Sequence, residues 1–86
     1  MKKFYFVLMD NIKGDAPYDT FCGSFGNETA ATEKADFLWQ YLTQSEKENR
    51  IITVCMGEIK EDTLLENAFD DFDISGGYYV IKEFKL

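Results

Sequence analysis

The residues able to do chemistry in this chain are mostly carboxylates, and they are concentrated. Between Glu58 and Asp73 stand Glu58, Glu61, Asp62, Glu66, Asp70, Asp71 and Asp73, with Lys60 the one base among them. Seven acids less one base place six of the chain's seven net negative charges in that stretch, while elsewhere nine acids nearly cancel eight bases. Inside it, Asp71-Phe72-Asp73-Ile74-Ser75-Gly76 matches the first half of a calcium loop, with ligands at positions one, three and five and glycine at six. The twelfth position should supply a bidentate glutamate and holds Lys82 instead, so the spacing reads as an acidic turn and no metal is expected there. Cys22 and Cys55 each sit among apolar neighbours and read as small buried hydrophobes. Nothing nearby lowers either thiol's pKa, although the two could be adjacent in a sheet.

The reactive combinations are missing. The chain has no histidine, which removes the usual Ser-His-Asp and Cys-His systems and any zinc site built on imidazole. Two cysteines cannot make a four-thiolate site within one chain. No dinucleotide fingerprint, Walker loop or nucleophile elbow is present, since Gly23-Ser24-Phe25-Gly26 is too short for any of them. A small domain also offers little cleft for a pair of catalytic carboxylates. No catalytic residue, cofactor or enzymatic activity is expected.

Eighty-six residues allow one domain spanning residues 1–86, and 45% hydrophobic residues are enough to fold it. The net charge of −7 repels nucleic acid and anionic lipid, because the phosphate term has the wrong sign. Direct nucleic-acid binding and membrane association are therefore not expected, whereas a basic protein surface would be attracted. The apolar run after Met1-Lys2-Lys3 meets Asp10 too soon for a signal peptide, and no stretch approaches the ~20 apolar residues of a membrane span. With only two cysteines, a reducing cytoplasm is the expected compartment.

The elements that must position these groups follow from periodicity. Phe4, Phe6 and Leu8 alternate with Tyr5, Val7 and Met9, so both faces are apolar and the strand is central. A loop is expected from Asp10 to Pro17. A second strand from Tyr18 to Phe25 is expected to pair with the first, Gly23 marking a bulge or close approach. Asn27 or Thr29 can cap a helix whose core face is Ala31, Ala35, Leu38 and Leu42, widened by Trp39, with Phe37 and Tyr41 off its line. Thr43-Gln44-Ser45-Glu46 has the form of a capping box for a short helical turn. Residues 51–56 are β-branched and apolar, an interior strand. Leu65, Ala68, Phe69 and Phe72 suit a second helix from about Asp62 to Asp71, and residues 78–84 a last strand, with Tyr78 and Val80 on one face and Tyr79 and Ile81 on the other. The expected fold is α+β in two layers, a mostly antiparallel sheet of about four strands with one long helix on one face, in the order β-β-α-β-α-β.

On a helix from Asp62 to Asp71, the carboxylates of Asp62, Glu66 and Asp70 would form a row spaced ~6 Å apart, similar to phosphates along a backbone. Such a helix would set Asp70, Asp71 and Asp73 at its negative end, a cost of ~0.3–1 kcal/mol each that argues for an outside cation. The rival reading is a solvated face that keeps a small domain soluble. Trp39, Tyr78 and Tyr79 add aromatic surface suited to an interface, either in a homodimer or with a foreign partner.

Trp39-Gln40-Tyr41-Leu42-Thr43-Gln44-Ser45-Glu46-Lys47, with Gly23-Ser24-Phe25 and Ala30-Ala31 before it, resembles short uncharacterised bacterial proteins with a W-x-x-L-T-x-x-E-K segment. These often accompany plasmids, phages or integrative elements. The resemblance spans residues 23 to 57 and rests on capping and core residues. It implies a mobile-element accessory role, and brings no activity, ligand or site residue with it. Two functions are therefore expected in order. The first is a non-enzymatic module presenting the seven acids to a basic protein surface, in its sharper form a nucleic-acid mimic acting in anti-defence or regulation. The second is a structural or oligomerising module that works through aromatic surface.

Overall fold

The computed structural model describes residues 1–12 and 20–86. Most of the loop expected between Asp10 and Pro17, and the start of the second strand at Tyr18, lie outside the described residues. Four antiparallel strands, β1 (Lys2–Asn11), β2 (Thr20–Phe25), β3 (Arg50–Ile59) and β4 (Tyr79–Phe84), form one open sheet in the order β2-β1-β3-β4. The fold is α+β, with the strands interrupted by short helices α1 (Glu28–Gln40), α2 (Gln44–Asn49) and α3 (Ala68–Asp71). One 3₁₀ turn, Leu65–Asn67, leads into α3, and another, Ile74–Gly76, follows it. The helices run to 13, 6 and 4 residues, so no single long helix organises the sheet, and α2 and the 3₁₀ turns alter the expected order.

β1 and β3 are the long central strands, paired from Lys2 opposite Ile59 to Asn11 opposite Arg50. Asp10 and Asn11 thus continue β1, because the ladder to β3 satisfies their backbone where a loop would leave it to water. The β1–β2 register slips between Phe6 and Leu8, so that Cys22 and Gly23 share the space opposite Val7. Gly23 supplies the positive φ of 130° that this bulge uses. A second bulge falls on Ile81, between Val80 opposite Cys55 and Lys82 opposite Val54. It breaks the alternation expected of the last strand.

Alternation along the central strands makes two apolar faces. Val7, Ile52 and Val54 are buried against Ala31 and Ala35 of α1, with Leu38, Trp39 and Leu42 packed around them. The two alanines let the helix axis lie close to the sheet, and each large side chain buried there is worth about 1.5–3 kcal/mol. Asn27 caps α1, its side-chain oxygen accepting from the Ala30 N–H at 2.8 Å. At α2 the capping box is complete. Thr43 Oγ1 accepts from the Glu46 N–H at 3.2 Å and Glu46 Oε1 from the Thr43 N–H at 2.9 Å. These bonds, with Arg50 beside it, hold the Glu46 carboxyl below its ordinary pKa.

The opposite face of the sheet is not left to solvent, so the two-layer expectation is corrected to three layers. Phe4, Phe6, Leu8, Cys55 and Ile59 on that face are buried beneath Ala68, Phe69, Phe72 and Tyr78. Rings do most of this packing. Phe72 meets Phe4 edge-on at 5.2 Å between centroids, Phe6 lies 5.5 Å from Phe69, Phe72 and Tyr78, and Phe21 stacks on Phe69 at 4.0 Å. Such pairs add ~0.5–1.5 kcal/mol beyond the area they bury. Gly57 on β3 makes room for them: a Cβ there would lie 2.6 Å from Phe72 Cε1 and 2.8 Å from Phe4 Cε1.

Substituting Gly57→Ala is expected to displace both rings and lower stability by about 1–3 kcal/mol in urea denaturation. Phe72→Ala should cost about 3 kcal/mol and Phe72→Leu clearly less, since leucine still fills the space over Gly57.

Candidate functional site

The segment that covers the second face has two sides of opposite character. Ala68, Phe69 and Phe72 point to the sheet and hold it there. Glu61, Asp62, Glu66, Asp70, Asp71 and Asp73 are exposed on this segment, whereas Glu58 is exposed on β3, where it alternates with Gly57 and so lies on the α1 side of the sheet opposite Lys3. Among the described residues one of the seven is ion-paired, Glu61, which lies 3.2 Å from the amino group of Met1. Leu64 and Leu65 share the surface, and the Leu65 side chain is 40% exposed where a buried position was expected.

The local geometry differs from a helix spanning Asp62 to Asp71. Residues 60–64 are turn and extended chain, with the Thr63 N–H donating to the Lys60 carbonyl at 3.0 Å. Helical structure starts at Leu65 and becomes α-helical only over Ala68–Asp71. Asp62 is therefore off the helix, and the regular row of Asp62, Glu66 and Asp70 does not form. The dipole conflict disappears as well. Asp70 and Asp71 close a helix of only four residues, which carries no long dipole for them to oppose. The physical reason is that Phe72 must reach the sheet over Gly57 while Phe69 reaches Phe6 and Phe21, and a short helix between 3₁₀ turns lets both do so.

The half calcium loop is engaged internally. Asp73 Oδ1 accepts from both the backbone N–H and the hydroxyl of Ser75, and the Gly76 N–H donates to the Asp73 carbonyl at 3.0 Å. The Ser75 hydroxyl first, and then the backbone N–H, hold the Asp73 carboxyl below its ordinary range. Among the described residues no group of three or more Cys, Asp or Glu side chains is gathered to hold a metal.

Of the aromatic residues expected at an interface, two are half-buried against the core. Trp39 packs into the α1 side of the core with Lys47 Nζ 5.5 Å from its ring centroid, and Tyr78 packs against Phe6. Tyr79 is 67% exposed on β4. Outside that trio, Phe37 and Tyr41 form an exposed pair with centroids 4.7 Å apart, their i, i+4 spacing being the signal in the sequence. The cysteines cannot be bridged within the chain. They lie on opposite faces, and β1 separates their strands by two ladder spacings of ~4.8 Å, beyond disulfide reach. Burial pushes the Cys22 thiol pKa up, with Lys34 pulling the other way.

Two concave regions border the acidic surface. A cleft of about 580 Å³ is lined by Gly57, Glu58, Asp71, Phe72, Tyr78 and Tyr79 among others. An open groove of about 610 Å³ runs between Phe21, Gly23 and Ser24 of β2 and Leu64, Leu65 and Glu66. What the exposed carboxylates can do in this setting is attract cations. No helix among the described residues is long and apolar enough to cross a membrane. No protein-family model, curated protein or solved structure matches the chain.

Ser75→Ala is expected to raise the Asp73 pKa toward the ordinary carboxylate value, read from the side-chain carboxyl resonance in an NMR titration. Because the folded value is the lower one, whatever stability this turn contributes is complete above the unfolded pKa of about 3.9. It is lost as pH falls through the folded value, and the Ser75→Ala protein should show a smaller loss across that acidic window.

Proposed function

We propose that this chain is a non-enzymatic binding module whose acidic surface docks on a basic surface of another protein. The observation that supports this reading is the pairing of exposure with anchorage. Six of the seven carboxylates face outward from a segment whose other side is pinned to the sheet by Phe69 and Phe72, and Glu58 stands apart on β3. A fixed array of charge attracts a cationic partner without first having to be ordered, which raises encounter rates and affinity together. The sharper form is a nucleic-acid mimic, acting in anti-defence or regulation from the cytoplasm, as the resemblance to mobile-element proteins suggests. In that form the charge pattern follows the irregular cover and not a helical row.

A second reading keeps the chain as a structural or oligomerising module, favoured by the exposed rings of Phe37, Tyr41 and Tyr79. Apolar contacts would then dominate and salt would matter little.

The test compares wild type with a variant carrying Glu66→Gln, Asp70→Asn, Asp71→Asn and Asp73→Asn, both shown folded by circular dichroism. Asparagine at 73 keeps an oxygen for Ser75. Exposed charge pairs are worth ~0.2–1 kcal/mol each, so the variant should bind a basic partner about 10- to 100-fold more weakly. Wild-type binding should fall as salt rises. Equal retention of the same partner by both proteins, unaffected by salt, would transfer the function to the aromatic surface.

A further inference from the structure

A groove opens where the covering segment reaches β2, the outermost strand on its side of the sheet. Its walls are Phe21, Gly23 and Ser24 of β2 and, facing them, Leu64, Leu65 and Glu66, and it holds about 610 Å³. The core does not use up the apolar side chains there. Leu64 is 60% exposed, Leu65 40% and Phe21 38%, although Phe21 also stacks on Phe69. Gly23, at the bulge, adds no side chain to the space between them.

The charge at the groove has one sign. Glu66 is the single ionised residue in its walls, and no lysine or arginine lines it. Lys60, the one base of the acidic run, lines the other cleft. Lys34 is near Cys22, on the α1 side of β2. Beyond Glu66 the same segment continues into the exposed carboxylates of Asp70, Asp71 and Asp73. An apolar occupant alone would take water from Glu66 without replacing it, which is costly. A purely charged one would leave the leucines wet. The groove fits an occupant that brings both an apolar side chain and positive charge, the form of an interface anchor with a charged rim.

A second copy does not supply this. Lys34, beside the exposed Phe37, stands among Glu33 and Asp36, and Glu83 lies between Lys82 and Lys85. Lys2 and Lys3 are held in the central strand β1. A copy also carries its own charge of −7 to an acidic face.

We infer that this groove is the anchoring pocket of the docking face, and that it takes an apolar side chain flanked by lysine or arginine in a segment of the partner. The inference rests on reading the acidic segment as the face that meets a basic protein, and adds what the partner must carry besides charge.

The test adds three capped peptides of equal length to the full ¹⁵N-labelled chain. One alternates leucine and lysine, one serine and lysine, and one leucine and glutamine. The leucine–lysine peptide is expected to shift the amides of residues 21–24 and 64–66. The serine–lysine peptide should bind more weakly and shift residues 70–73 without residues 21–24. Leu64→Ser with Leu65→Ser should weaken the leucine–lysine peptide about tenfold and leave the serine–lysine peptide unchanged. Leu64→Ser alone, at the more exposed leucine, should show a smaller loss in the same direction. The inference is overturned, with the acidic docking face intact, if the two lysine peptides bind equally and shift the same amides. It is also overturned if the leucine–glutamine peptide binds as tightly as the leucine–lysine one, or if sedimentation and concentration-dependent shifts show a second copy in the groove. Absence of binding by either lysine peptide would remove the docking face itself, and this pocket with it.

Discussion

At the centre of the molecule a phenyl ring occupies the place of a missing side chain. Gly57 leaves β3 without a Cβ at the one position where Phe72 comes down on the sheet, and Phe4 closes the same space from β1. The segment carrying Phe72 is rich in acids and has only one turn of α-helix. It has little intrinsic reason to be ordered, since so short a helix is unstable in water. Its position depends on the rings of Phe69 and Phe72 being accepted by a sheet face already lined by Phe4 and Phe6.

That contact separates burial from charge. The sheet needs cover on both faces, because β1 alternates apolar residues with no polar side. On one face α1 supplies it with alanines against Val7, Ile52 and Val54. On the other, the aromatic residues of an acidic segment supply it, and their carboxylate neighbours are turned to solvent as a consequence. Most of the net charge is thereby collected on one cover.

Much of this was legible in the chain. Residues 4–9 announced a strand buried on both faces, Ala31, Ala35, Leu38 and Leu42 a helix face, and Thr43 and Glu46 a capping box, because each pattern is local and has one physical solution. Gly23 was legible as a bulge for the same reason. The covering segment was not. Leu65, Ala68, Phe69 and Phe72 satisfy helical spacing as well as they satisfy a 3₁₀ turn followed by one turn of helix. The choice between them depends on Gly57, which is distant in sequence. The acids of 58–73 were legible as a cluster, but their geometry was inherited from that choice. A longer helix would have put Asp70 and Asp71 at its disfavoured end, whereas the observed one is a single turn that ends on them. Trp39 and Tyr78 were legible both as core and as interface aromatics, and ring size alone does not choose between the two.

The most direct measurement of the central claim is the NMR environment of the Gly57 α-protons. Rings seated as described should shift them strongly upfield and give cross-relaxation to the ring protons of Phe72 and Phe4, together with slowly exchanging amides around α3. Gly57 α-protons at ordinary shifts, with averaged and rapidly exchanging signals across residues 61–77, would contradict the account. The cover would then be unpinned, and its carboxylates would have no fixed surface to offer.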